Sequence, residues 1–171
     1  MTAAKKSPKK QGESIQQFVF IEVPFPMVSA ELELWGEAAW WPKICPLQIR
    51  RTAGGTAQVG TTFENRILKS AVRPWVSEIT RMVPGRLLEL TFKQGPLKGR
   101  EVIRIGERAN GARVDYESEY QVTGGFFNGI VWGLGGKKPY ENGIKLILAA
   151  FKDYVVRKSQ MPEPDQTQGQ P

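Results

Sequence analysis

No histidine occurs in the 171 residues, and there is one cysteine, Cys45. The first absence removes every catalytic triad with a histidine base, every histidine-ligated zinc and every histidine proton shuttle from this chain. The second removes internal disulfides and, with the first, any structural zinc site. Long apolar runs are also missing. The longest uncharged stretch, Tyr120 to Gly136, contains six glycines and is too short to span a bilayer as a helix. The lysine-rich start runs into polar Gln11-Gly12-Glu13-Ser14, where a secretory signal would carry its apolar segment. The expectation is a cytoplasmic protein without cofactor or metal, either a binding module or an enzyme limited to carboxylate, tyrosine, lysine, arginine, serine or cysteine chemistry.

What is present suits one ordinary domain: 40% hydrophobic and 24% charged residues, with a net charge of +7. Of that excess, +3 sits in the first fourteen residues, where Lys5, Lys6, Lys9 and Lys10 face Glu13 alone. Residues 1–15 therefore read as a disordered basic tail, 16–158 as a single folded domain, and 159–171, with its prolines and glutamines, as a second disordered tail. The rest of the chain carries mixed charge, so nucleic acid is not expected as a partner.

Gln16 to Val23 is rich in β-branched and aromatic residues and reads as a strand closed by Pro24 and Pro26. Val28, Leu32, Trp35 and Ala39 recur at helical spacing, and Trp41-Pro42 ends that helix or bends it into a second short turn. Strand-like segments follow at Leu47–Thr52, Gln58–Lys69, Pro74–Val83, Arg86–Gln94, Arg100–Glu107 and Ala112–Val122. They are punctuated by Pro84-Gly85, Gly95-Pro96 and the hairpin signal Asn110-Gly111. Gly124 to Tyr140 reads as an apolar loop. Glu141 to Lys158 reads as a long helix with a stripe of Ile144, Ile147, Leu148, Phe151 and Val155. Six strands linked by short turns demand one antiparallel sheet, and the last helix is the large apolar object left to cover it.

This order resembles the START/SRPBCC superfamily, also called helix-grip or birch-pollen-allergen-like, and within it the polyketide cyclase/dehydrase group. The likeness rests on Val23-Pro24-Phe25-Pro26, Ala39-Trp40-Trp41-Pro42, Val59-Gly60-Thr61, the segment Ile79 to Leu87, and Leu148-Ala-Ala-Phe151-Lys-Asp-Tyr154. The resemblance implies an α+β fold: a seven-stranded antiparallel sheet curled around a long C-terminal helix, with two short helices between strands 1 and 2. It further implies a cavity between sheet and helix that takes lipids, quinones or polyketide-like molecules, in some members with cyclisation or dehydration.

By alternation, Phe63, Asn65 and Ile67, then Leu88, Leu90 and Phe92, Ile103 and Ile105, and Tyr116, Ser118 and Tyr120 face inward. The polar members of this set need partners in a dry interior, which a ligand could supply. Trp75 is a candidate planar wall, though its strand mixes polar and apolar residues on both faces. The loop Gly124 to Gly136 offers Phe126 and Trp132 as a lid over the mouth, or as a patch for transient membrane contact. The expected ligand-binding set is thus Phe63, Asn65, Ile67, Trp75, Leu90, Tyr116, Ser118, Tyr120, Phe126 and Trp132, serving a hydrophobic or aromatic small molecule, and no residue is assigned a catalytic role. A second reading is a cyclase- or dehydratase-like enzyme with tyrosine as acid and a buried carboxylate as base, Glu78 being the carboxylate whose facing the pattern leaves open. A third is a macromolecule-binding protein using its basic head. Gly133-x-Gly135-Gly136-Lys137-Lys138 lacks the spacing of a phosphate-binding loop. Cys45, without a histidine partner, reads as a small buried hydrophobe.

Overall fold

The computed structural model describes residues 12–37, 40–52 and 55–161. Residues 1–11, which hold the four lysines of the basic head, Ala39 and the chain beyond residue 161 lie outside these. Seven strands, β1 (Glu13–Ile21), β2 (Leu47–Arg51), β3 (Thr62–Ile67), β4 (Trp75–Val83), β5 (Leu87–Gln94), β6 (Leu97–Arg108) and β7 (Gly111–Val122), form one antiparallel sheet in the order β1-β7-β6-β5-β4-β3-β2. The helices are α1 (Phe25–Ala30), followed by a 3₁₀ turn over Glu31–Leu34, then α2 (Phe126–Gly135) and α3 (Lys137–Ser159). This is the α+β helix-grip architecture. Among the described residues no helix is long and apolar enough to cross a membrane.

Strand β1 begins at Glu13 rather than Gln16, because β7 is long enough to pair it there: Glu13 lies opposite Tyr120 and Ile21 opposite Ala112. The helix expected from Val28 to Trp40 stops at Leu34. Its end is dictated by packing: Gly36, at φ +81°, carries the chain so close over Phe63 that a Cβ would stand 2.7 Å from the ring. Beyond it Trp35, Trp40 and Trp41 pack together, with Trp40 edge-on to Phe151 of α3 at 5.1 Å between centroids. The buried Arg51 ties this segment down, its guanidinium donating to the carbonyls of Glu33 (2.8 Å) and Trp35 (2.9 Å) and pairing with Glu37.

Two corrections bear on function. The stretch expected as a loop from Gly124 to Tyr140 is helix α2 followed at once by α3, which starts at Lys137 rather than Glu141. Glycines at 129, 133 and 135 make α2 a poor helix by propensity, yet its Trp132 is buried and Gly135 accepts a hydrogen bond from Ser70 Oγ at 2.8 Å. Tertiary contact overrides local preference. Pro139 is tolerated because it falls in the first turn of α3, where no intrahelical N–H is needed.

Helix α3 buries Tyr140, Ile144, Ile147, Leu148, Phe151 and Val155 against the concave sheet face. It approaches β2 so closely at Gly143 that a Cβ would sit 2.4 Å from Leu47 Cβ. Gly143→Ala is therefore expected to cost about 1–3 kcal/mol by overpacking, despite alanine's better helix propensity. Urea unfolding checks this, and an unchanged midpoint would show that α3 can slide. Cys45 lies at the same crossing, buried, with its thiol 3.7 Å from the Gly143 carbonyl, and burial pushes its pKa up.

Candidate functional site

The sheet's alternation delivers a set of side chains to the concave face. Phe63, Asn65 and Ile67 of β3, Trp75, Ser77 and Ile79 of β4, Leu88, Leu90 and Phe92 of β5, and Tyr116, Ser118 and Tyr120 of β7 are all buried. Trp75 thus faces inward. Glu78 is on the other face, paired with Lys93 at 3.3 Å, and is not an interior carboxylate. The inward carboxylate is Glu101 of β6, 2% exposed. It shares parity with Ile103 and Ile105, and the register sets it opposite Leu90 on one side and Ser118 on the other.

Glu101 is the centre of a polar hub. Its Oε1 accepts from the hydroxyls of Tyr116 (2.7 Å) and Tyr140 (2.6 Å). The two phenol oxygens are 3.0 Å apart, and Ser118 Oγ lies 3.1 Å from that of Tyr140. The three oxygens Glu101 Oε1, Tyr116 OH and Tyr140 OH form a triangle. Each edge needs one proton. A carboxylate that accepts from both phenols leaves the edge between them without a proton; the neutral acid fills all three edges when Oε1 donates to one phenol, that phenol donates to the other, and the other donates back to Oε1. Desolvation acts in the same direction: burial holds the Glu101 carboxyl above the usual glutamate pKa, more than the two phenol bonds pull it down. Both phenols are pushed well up, first by burial and then by the Glu101 carboxyl beside them.

Next to the hub is an aromatic cage. Trp75 from β4, Tyr120 from β7, Trp132 from α2 and Tyr140 from α3 meet edge to face, with centroid separations of 5.4 Å for Tyr120–Trp132, 5.7 Å for Trp75–Tyr140 and 5.8 Å for Trp132–Tyr140. Tyr140 joins the two parts, its ring in the cage and its hydroxyl in the hub. Polar atoms remain without partners here. The Asn65 side chain donates to Ser77 Oγ at 2.9 Å, but its Oδ1 has no donor. The indole N–H of Trp75 is likewise buried and unpaired. Asn65 lies opposite Trp75 in the sheet, so these atoms line one region.

Two cavities flank α2. One, of about 480 Å³, runs between α2 and the β1/β7 end and is lined by Glu13, Gln121, Val122, Ile130 and Trp132. The other, of about 190 Å³, lies between α2 and the Ala71–Arg73 loop and is lined by Pro96, Asn128, Val131 and again Trp132. Trp132 is the partition between both grooves and the cage. At the rim of the first, Glu13 accepts from Tyr120 OH (3.2 Å) and pairs with Lys137 (2.8 Å).

Of the residues expected at the site, Asn65, Trp75, Tyr116, Ser118, Tyr120 and Trp132 come together. Phe63, Ile67 and Leu90 are buried in the core of the same face. Phe126 lies outside the cage: helical phase turns Trp132 inward and leaves Phe126 78% exposed on α2, where it lines the groove of about 480 Å³. Two residues of the site were missed. Glu101 was legible from its parity with Ile103 and Ile105. Tyr140 was legible as a member of the Ile144, Ile147, Phe151 stripe, four residues before its first member.

The seven-stranded antiparallel sheet curled around the long C-terminal helix is the helix-grip fold, that of the START/SRPBCC and birch-pollen-allergen-like proteins. No protein-family model and no curated protein sequence matches the chain, but solved structures do. An aromatase/cyclase from a Streptomyces species superposes with a TM-score of 0.64 at 13% identity, over 88% of this chain and 97% of its own. A protein of Thermus thermophilus gives 0.63 at 15%, over 86% and 100%. Norcoclaurine synthase from Thalictrum flavum, solved in complex with dopamine and hydroxybenzaldehyde, gives 0.60 at 11%, over 92% and 96%. At these identities the likeness establishes the shared fold.

Proposed function

We propose that the protein binds an apolar or aromatic small molecule between the sheet and α3, reached beneath α2. The observation that carries this is the pair of buried, unpaired polar atoms at the cage, Asn65 Oδ1 and Trp75 Nε1. Such atoms cost about 1–3 kcal/mol each when left without partners, and a ligand with one polar end among aromatic walls would satisfy them. Shape and burial would supply affinity, while Asn65 and the Glu101 hub would orient the polar end. Two of the same-fold structures are an aromatase/cyclase and a synthase holding two aromatic compounds, which favours a ring-bearing ligand over a simple acyl chain. Native mass spectrometry of freshly purified protein is expected to show a mass increment that disappears on denaturation, with organic extraction giving its class. No increment, together with an unchanged Tm across a lipid, quinone and polyphenol panel, would overturn the reading.

The proton count at the hub favours one second reading, a cyclase- or dehydratase-like enzyme in the same space. A Glu101 that keeps its proton is poised to give it to a carbonyl or departing hydroxyl oxygen, and Tyr140 connects it to the cage.

A further inference from the structure

Helix α2 contains no charged residue, and its outer face is apolar: Phe126 (78% exposed), Phe127 (80%), Ile130 (41%) and Leu134 (86%). Four basic residues lie at the two ends of this helix. Lys137 and Lys138 follow α2 directly and are exposed. Lys69 precedes Ser70, whose hydroxyl bonds Gly135 at the C-terminal end. Arg73 stands by Gly124 at the N-terminal end and lines the groove along α2. Among the described residues Lys69, Arg73 and Lys138 make no ion pair, while Lys137 pairs with Glu13. The result is an apolar ridge with a basic collar.

From this we infer that α2 docks on an anionic phospholipid bilayer, with Phe126, Phe127, Ile130 and Leu134 entering the interface and Lys69, Arg73, Lys137 and Lys138 lying over the headgroups. A charge-free ridge gains by leaving water, and the collar gains from negative headgroups at the same depth. A second copy of the chain fits worse. A symmetric contact through the same patch would set collar against collar, bringing like charges together. The ridge is also small. Ten helical residues span about 15 Å, and a face of that length and about 10 Å width covers roughly 150 Å², well short of the roughly 800 Å² per partner of a stable interface. The docking stands independently of what the interior holds.

The test is flotation of the full chain with vesicles of phosphatidylcholine and of a 3:1 phosphatidylcholine–phosphatidylglycerol mixture, in parallel with a Phe126→Ser/Phe127→Ser/Leu134→Ser variant. These three side chains are exposed, so the variant's Tm should stay near that of the parent. The expected result is binding to the anionic vesicles at least tenfold tighter than to the neutral ones, weakened by salt, and reduced at least tenfold in the triple variant. Three results would overturn the inference. The parent could fail to float. The triple variant could float as well as the parent, which would assign binding to the basic head, present in both. Or a dimer abolished by the triple variant could appear in place of vesicle binding, which would make a second copy the occupant. A small-molecule adduct without vesicle binding refutes the docking alone; vesicle binding without an adduct refutes the ligand reading alone.

Discussion

Trp132→Ala is expected to lower stability by about 3–5 kcal/mol and, at the same time, to open the interior. The indole is buried and touches Trp75, Tyr120 and Tyr140, so its loss removes three edge-to-face contacts. For a domain of this size the fall in Tm is on the order of 10 °C. What distinguishes a partition from an ordinary core residue is the second effect. Without the indole, the grooves on the two sides of α2 join each other and the cage. A hydrophobic fluorescent probe, titrated well below the midpoint, should then bind several-fold more strongly than to the parent. Trp132→Phe, which keeps a ring in place, should lose less stability and leave probe binding near the parental level. A destabilised Ala variant with no gain in probe binding would show that the way in does not pass under α2.

Glu101 is the other position where a single change is expected to act strongly. Glu101→Leu removes the acceptor shared by Tyr116 and Tyr140 and strands phenol protons in a dry interior, at a cost of about 2–4 kcal/mol. Glu101→Gln keeps the shape and one acceptor oxygen but does not titrate. The sign of its pH effect follows from the direction of the parental shift. Burial raises the folded carboxyl above the ordinary value of 4.5, so the folded state holds a proton that the unfolded chain has released. Parental stability from this group is therefore complete below pH 4.5 and is lost as pH rises through the folded value. The Gln variant should gain on the parent over that interval, with the difference flat on either side. A difference running the other way would mean that the two phenols hold Glu101 as an anion and that the hub is no proton donor. If a reaction is found, the Gln variant should keep the ligand adduct and lose turnover.

Much of the site could be read from alternation. In β7 the inward set Tyr116, Ser118, Tyr120 and the outward set Asp115, Glu117, Glu119 separate cleanly, and the outward acids pair with arginines such as Arg104 and Arg100. The same period places Asn65 between Phe63 and Ile67. Strand β4 resisted because polar residues stand on both faces: Ser77 is buried as Asn65's partner, while Glu78 is wet. Glu101 carries the parity of Ile103 and Ile105, but a carboxylate in a strand falls more often on the wet face than in the interior.

The strand order, the antiparallel sheet and the gripping helix were written in the chain, since period-two and period-3.6 apolar patterns need only local geometry to be read. Three things came from packing in space. It made α2 a helix, because burial of Trp132 outweighs the cost of three internal glycines. It chose between the aromatics of that segment, since Trp132 and Phe126 are both large and apolar and only the helical phase against the sheet sends one inward and the other to solvent. And it brought Tyr140 to Glu101, 39 residues apart, by laying the first turn of α3 across the strands. A proton shared between distant residues has no local signature; it exists only once the sheet has curled around the helix.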